Sequence, residues 1–200
     1  MDVAELRARL GSPALANRVA APAASDDAHD LLERPLVAAA VLVPIVHGPA
    51  PGVLLTRRTA TLSSHAGQVA FPGGRIDPGE TPEQAALREA DEEIGLPAGL
   101  VELGGRLPDH VTGTGYLVTP VMGLVAAGFA PMPAAAEVDA VFELSLSVLL
   151  DPGAPRRERA HWKGRMREFW VWPHDDEYIW GATAAILVSL AQRLRQEGAG

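Results

Sequence analysis

The stretch TPEQAALREADEEIGL constrains the fold of this chain more than any other part of the sequence. Thr81 suits a helix N-cap, Pro82 suits the first helical position, and Gln84 completes a Thr-x-x-Gln capping box. Gly95 fits the position just past a helix end, where a left-handed backbone is common. These signals predict a helix over residues 82–94 with both ends fixed locally.

The predicted helix concentrates negative charge near its C-terminus. Glu89, Glu92 and Glu93 stand at spacings of three and four residues or side by side, and like charges at helical spacing repel by roughly a few tenths of a kcal/mol per pair. The helix macrodipole disfavours anions at this end by about 0.3–1 kcal/mol. At about 100° per residue the three carboxylates centre opposite Leu87 and Ile94, so we expect them to converge away from the core.

Two interpretations of this acidic cluster are open. One is a solvated acidic face; the other is a site for Mg²⁺ or Mn²⁺, since clustered carboxylate oxygens are the ligands that hard divalent cations select. The surrounding frame of a Gly-Gly turn, a further acid and a capped helix start favours the metal. Arg88, inside the cluster, can hydrogen-bond a neighbouring carboxylate and fix its orientation.

Composition excludes several function classes. The 200 residues suit one domain with appended segments, and 48% hydrophobic residues are enough for a core. A net charge of −8 argues against broad binding of nucleic acid, and the absence of cysteine excludes disulfides and thiolate chemistry. The N-terminus lacks a signal-peptide pattern and the longest apolar run, residues 35–46, is too short for a membrane span, so a cytoplasmic location is expected.

The order of the remaining patterns predicts a domain of strands with a central and a C-terminal helix. Residues 1–34 are predicted to be an N-terminal helix and flexible lead-in, followed by the main domain over residues 35–200. Strand patterns occur at residues 36–57 (two strands around a turn), 68–71, 100–107, 116–125, 140–146 and 167–173. The segment 161–172 mixes aromatic and basic residues, which suits either a strand face or nucleotide binding. The fold class is α+β or a mixed-sheet α/β sandwich.

The spacing around the acidic cluster resembles the Nudix box, Gly-x5-Glu-x7-Arg-Glu-U-x-Glu-Glu-x-Gly-U, where U is a bulky apolar residue. The specified positions fall on Gly74, Glu80, Arg88, Glu89, Ala90, Glu92, Glu93, Gly95 and Leu96. Ala90 is the one departure, being smaller than the usual aliphatic residue. The box covers 23 residues, and the flanking strand pattern fits the family's α/β/α sandwich with a mixed sheet between helices.

The resemblance implies hydrolysis of a nucleoside diphosphate linked to another moiety, with Mg²⁺ or Mn²⁺. It implies that Glu89, Glu92 and Glu93 are metal ligands with the Gly73 carbonyl, and that Gly74, Glu80 and Gly95 support the loop and helix. The metal would bridge diphosphate oxygens, neutralise developing charge and lower the pKa of a bound water.

The general base varies within this family, lying on the helix in some members and on a later loop in others. The candidate catalytic residues are Arg88, Glu92 and Glu137, of which Glu137 is the loop candidate. The alternative interpretation of Glu137 is an ordinary solvent-exposed loop acid.

The stretch LLTRRTATLSSHAGQVAFPGG, residues 54–74, resembles the signature that precedes the box in Nudix coenzyme A diphosphatases. Ser63 replaces the usual arginine of that signature and Thr59 replaces the usual serine. Loss of one phosphate contact costs roughly 1.5–3 kcal/mol, and Arg57 is expected to compensate in part. The candidate substrate-binding residues are Arg57, Arg58, Thr59, His65 and Gln68. The alternative is that residues 54–62 form only a strand and turn, with His65 an ordinary structural histidine.

The expected reaction is therefore cleavage of coenzyme A or its thioesters to 3′,5′-ADP and 4′-phosphopantetheine or its acyl form. An enzymatic alternative keeps this chemistry and acts on ADP-ribose, NADH, a dinucleoside polyphosphate or a nucleoside triphosphate. A third alternative is a non-catalytic nucleotide-sensing module, against which the complete set of box carboxylates argues. The expected partner is a CoA-like small molecule, with no nucleic acid and no membrane, and a homodimer is left open.

Overall fold

The computed structural model describes residues 1–11, 23–24, 35–60, 66–162 and 164–195. Its helices are α1 (Val3–Gly11), α2 (Pro82–Ile94), α3 (Leu146–Leu150) and α4 (Gly181–Arg195), with a 3-10 turn at Ala98–Leu100. Its strands are β1 (Ala23–Ala24), β2 (Val37–His47), β3 (Gly52–Arg58), β4 (Val69–Ala70), β5 (Gly73–Arg75), β6 (Val101–Arg106), β7 (His110–Val111), β8 (Tyr116–Ala126), β9 (Val138–Ser145), β10 (Arg156–Trp162), β11 (Arg165–Trp172) and β12 (Ile179–Trp180).

The centre of the main sheet is the pair β2 and β8, which run parallel from Val37↔Tyr116 to His47↔Ala126. The strand order is β1-β7-β8-β2-β3-β4, with β5 on β2, β6 on β8 and β9 on β3. The strand pairs β2–β8 and β1–β7 are parallel and the remaining pairs of this sheet are antiparallel, so the sheet is mixed, as predicted. Strands β10, β11 and β12 form a second, antiparallel sheet. The strand interpretation is confirmed for residues 165–172, which form β11, while residues 161–162 end β10.

The predicted strand–turn–strand unit is present, but its two strands separate soon after the turn. β3 pairs with β2 only at Ile45↔Val53 and Val46↔Gly52, because β5 takes the neighbouring position on β2. No strand was predicted over residues 73–75, which were expected to form a Gly-Gly turn. In the structure Gly73–Arg75 is itself a strand beside β2.

Side chains of β2 alternate between two apolar layers, as expected for a strand buried on both faces. Ala40 and Leu42 pack with α2, whereas Val43 and Ile45 pack with α1, α3 and α4. Within the described ranges, one helix therefore lies on one face of the sheet and three lie on the other, which confirms the α/β/α sandwich. No helix in the described ranges is long and apolar enough to cross a membrane.

Helix α1 packs into the main core. Leu6 and Leu10 are buried among side chains of α4, and Arg193 of α4 donates to the carbonyl oxygens of Arg9 at 2.9 Å and Leu10 at 2.6 Å. The predicted N-terminal helix is confirmed. The lead-in that follows it lies largely outside the described residues, so its predicted flexibility stays a prediction.

Candidate active site

Both ends of α2 have the local geometry that their residues predict. Gln84 N–H donates to Thr81 Oγ1 at 3.2 Å, and Thr81 N–H donates to Gln84 Oε1 at 2.8 Å, so the capping box is complete. Gly95 adopts φ 65° and its N–H donates to carbonyl oxygens in the last turn. These caps fix where α2 begins and where it ends.

The three clustered glutamates lie in different environments. The side chain of Glu92 is 60% exposed, that of Glu89 is 17% exposed and that of Glu93 is 5% exposed. The prediction that all three converge away from the core is therefore wrong for Glu93. Glu93 lies two helical turns after the buried Ala86, and it points toward β5 rather than solvent.

Arg88 joins the acids of the cluster to one another. Its Nε and Nη2 donate to the two oxygens of Glu80 at 2.8 and 3.1 Å, and its Nη1 donates to Glu89 at 2.9 Å and Glu92 at 3.3 Å. Nη2 also donates to the Arg75 carbonyl of β5. These bonds raise the pKa of Arg88, and Arg88 together with a backbone N–H lowers the pKa of Glu80 to about 2. The cluster therefore keeps fixed orientations although its charges repel.

Two glycines let β5 approach α2 closely. The N–H of Gly73 donates to Glu93 Oε2 at 3.2 Å. A Cβ on Gly74 would lie 2.3 Å from Glu89 Oε1, far inside van der Waals contact. The Gly-Gly pair therefore makes room for two of the carboxylates.

Glu93 is a buried carboxylate with little compensating charge. Its burial raises its pKa to about 7, and repulsion from Glu89 and Glu137 acts in the same direction. The Gly73 N–H and Arg58, whose Nη1 lies 3.6 Å from Glu93 Oε1, oppose this rise. A cation at this position would favour the charged form of Glu93.

Among the described candidate substrate residues, Arg58 contacts this cluster, while Gln68 and Thr59 are linked through main-chain hydrogen bonds to Arg58 and Glu137. Arg58 contacts Glu93. The N–H of Arg58 donates to the Gln68 carbonyl at 3.0 Å, and the N–H of Thr59 donates to the Glu137 carbonyl at 2.9 Å. His65 and Ser63 lie outside the described residues.

Arg57 is not brought to the cluster. Successive strand side chains point to opposite faces, and the guanidinium of Arg57 donates to Asp139 at 2.8 Å and to Glu177 at 2.5 Å. Two carboxylates therefore engage Arg57 away from Glu93. The expectation that Arg57 replaces the missing arginine at position 63 finds no support in this geometry.

The donor chemistry of the cluster fits a hard divalent cation, although its side chains are arranged around arginines. Among the described residues, no three acidic or histidine side chains are grouped as a ready metal site, since Arg88 bridges Glu89 and Glu92 while Arg58 contacts Glu93. Carboxylate oxygens are the ligands that Mg²⁺ and Mn²⁺ prefer. Burial and neighbouring acids disfavour the charged form of Glu93, and a bound cation would reverse that effect by stabilising the carboxylate.

Comparison with known proteins identifies the family. The NUDIX domain profile matches residues 36–175. The chain is 43% identical over 157 residues to the uncharacterized Nudix hydrolase NudL of Escherichia coli O7:K1 (strain IAI39 / ExPEC), covering 78% of this chain and 82% of that protein. It is 42% identical over 160 residues to the uncharacterized NudL of Cronobacter sakazakii, covering 80% and 83% of the two chains.

A solved structure of a MutT/nudix family protein from Enterococcus faecalis has the same fold. It superimposes with a TM-score of 0.56 at 18% identity, over 81% of this chain and 62% of that one. The domain profile and the sequence relatives together show that the chain belongs to the Nudix hydrolase family, whose members are pyrophosphohydrolases.

Proposed function

We propose that this protein hydrolyses the diphosphate bond of coenzyme A or its thioesters with Mg²⁺ or Mn²⁺. The observation that carries the reaction is the set of Glu89, Glu92 and Glu93, held by Arg88 and two glycines against β5. The signature over residues 54–74 supports the coenzyme A substrate, since Arg58 from that signature contacts one of these carboxylates, Glu93.

The proposed ligands of the ion are the carboxylates of Glu89, Glu92 and Glu93 with the Gly73 carbonyl. A bound divalent cation supplies neutralisation of the diphosphate charge and acidifies the attacking water. Arg88 keeps Glu89 and Glu92 in place through its bonds to both.

Arg58 is the proposed contact for a phosphate oxygen of the substrate. Its side chain is 24% exposed beside Glu93, so it can reach a ligand while staying next to the carboxylates. A guanidinium also matches phosphate geometry with paired donors.

Glu137 is the proposed general base. It lies close enough to Glu93 for their repulsion to raise the pKa of Glu93, and the loop that carries it is bonded to the end of α2. Glu137 takes a proton from water as the water oxygen attacks phosphorus. The P–O bond to the bridging oxygen then breaks, giving 3′,5′-ADP and 4′-phosphopantetheine or its acyl form.

A substrate panel tests this proposal. Coenzyme A, acetyl-CoA, NADH, ADP-ribose and dGTP are each incubated with the protein and Mg²⁺ or Mn²⁺, and products are separated by chromatography. We expect release of 3′,5′-ADP from the two coenzyme A compounds and at least tenfold lower kcat/KM on the others. Equal kcat/KM on ADP-ribose would overturn the substrate assignment and keep the reaction class.

A further inference from the structure

The loop that carries Glu137 is hydrogen-bonded to the C-terminal end of α2. Met132 N–H donates to the Ile94 carbonyl and Ala134 N–H donates to the Glu93 carbonyl, both at 2.9 Å. The loop therefore satisfies two carbonyls of the last helical turn, which a helix leaves without intrahelical partners. One of these carbonyls belongs to Glu93, so the loop is hydrogen-bonded to the backbone of the residue that carries the buried carboxylate.

The same loop is also hydrogen-bonded to Thr59, the residue that follows β3. Thr59 N–H donates to the Glu137 carbonyl at 2.9 Å, and Thr59 Oγ1 donates to the Ala136 carbonyl at 3.3 Å. Thr59 is 9% exposed. Between these attachments the N–H groups of Glu137 and Val138 both donate to the Ala134 carbonyl, which closes a tight turn.

These contacts hold the backbone from which the exposed Glu137 side chain extends. A turn held at both sides has few ways to move, and the Glu137 side chain starts from the backbone that Thr59 binds. The Thr59 hydroxyl is directed at a carbonyl of this chain, whereas a substrate contact would require it to face the carboxylate cluster.

We propose that Thr59 is a positioning residue for Glu137, acting through the bond from its hydroxyl to the Ala136 carbonyl. This inference rests on the proposed function in taking Glu137 as the general base. Misplacing a catalytic group by about 1 Å costs up to roughly a hundredfold in rate. Loss of one of the two Thr59 bonds moves the loop only partly, so the expected loss is about tenfold in kcat.

The test compares Thr59→Val with Thr59→Ser. Valine keeps the volume and the backbone N–H bond but removes the hydroxyl, whereas serine keeps the hydroxyl. We expect Thr59→Val to lower kcat for coenzyme A about tenfold with KM within twofold of the parent, and Thr59→Ser to stay within threefold of the parent in both. Thr183→Val is the matched control, since Thr183 Oγ1 donates to a backbone carbonyl at Val69 in the buried core.

A double-mutant cycle with Glu137→Gln separates positioning from general destabilisation. Thr59→Val should lower kcat no further in the Glu137→Gln background, because the group that it positions is gone. An equal fractional loss in both backgrounds would overturn the inference, as would a parent-like kcat in Thr59→Val. A higher KM with unchanged kcat would overturn it too and would assign Thr59 to substrate binding.

The same cycle distinguishes failure of the inference from failure of the proposed base. If Glu137→Gln alone keeps parental kcat, Glu137 is not the base, and the positioning role falls with it. If Glu137→Gln lowers kcat at least a hundredfold while Thr59→Val leaves kcat unchanged, the base stands and only the role of Thr59 is refuted. Thermal unfolding of every variant checks that Thr59→Val loses no more stability than Thr183→Val.

Discussion

At the scale of single residues, two adjacent arginines have different partners. Arg58 lies beside Glu93, while Arg57 pairs with Asp139 and Glu177. The alternation of side chains along a strand accounts for the division. The sequence alone gave both arginines the same expected role, because the acids that engage Arg57 are 82 and 120 residues away along the chain.

This division predicts different kinetics for the two charge-removing variants. Arg58→Gln should raise KM for coenzyme A at least tenfold, because a charge-assisted bond to phosphate contributes roughly 1.5–3 kcal/mol. Arg57→Gln should change KM less than twofold, and steady-state kinetics on both proteins measures this. A tenfold rise of KM in Arg57→Gln would restore Arg57 as a substrate contact and contradict the geometry.

His110 is a second residue whose environment predicts a measurable effect. It is 3% exposed in β7, and its Nε2 has no hydrogen-bond partner among the described residues. Burial lowers its pKa to about 4, against about 6.5 in an unfolded chain. As the pH falls below about 6.5, His110 is protonated in the unfolded chain but stays neutral in the folded protein. The free energy of unfolding therefore decreases until the pH reaches about 4, where folded His110 also binds a proton.

The expected loss from His110 is roughly 3 kcal/mol across that range. Urea unfolding at several pH values measures it, with His110→Gln as the comparison because glutamine does not titrate. The stability difference between parent and variant should move in favour of the variant as the pH falls from 7 to 4. Parallel curves for the two proteins would show that His110 does not remain neutral in the fold.

At the scale of elements, the contact between α2 and β5 organises the cluster. The ends of α2 could be predicted from sequence because its caps use residues within one turn of each end. The burial of Glu93 could not, because it depends on Gly73, twenty residues upstream, arriving as a strand beside β2. Capping residues therefore predict helix ends from local sequence, whereas strand pairing depends on residues that are far apart along the chain.

Gly74→Ala tests the α2–β5 contact. The new Cβ would lie 2.3 Å from Glu89 Oε1, so the carboxylate must move. We expect kcat to fall at least tenfold with a change in stability of about 1 kcal/mol or less, because the displaced group is a side-chain end. Gly99→Ala is the control, since a Cβ there meets nothing within 4 Å. Parental kcat in Gly74→Ala would show that the position of Glu89 does not matter for turnover.

At the scale of the whole molecule, the carboxylate cluster lies on the α2 face while α1, α3 and α4 pack on the other face of the sheet. The layered architecture could be predicted from the order of strand and helix patterns. The packing of α1 against α4 could not, because the buried Leu6 and Leu10 are too few to identify a partner by pattern. The Nudix box predicted the reaction class from sequence, and the family comparison confirms it. The coenzyme A substrate, predicted from residues 54–74, stays a prediction.

The central claim is that the carboxylates of α2 bind the metal ion on which hydrolysis depends. Its most direct test is the rate of 3′,5′-ADP release from coenzyme A with Mg²⁺ by Glu92→Gln, compared with Glu83→Gln on the same helix, where Glu83 pairs with Arg106 away from the cluster. We predict at least a hundredfold loss in Glu92→Gln with unchanged circular dichroism, and a rate within twofold of the parent in Glu83→Gln. Near-parental turnover by folded Glu92→Gln would contradict the claim.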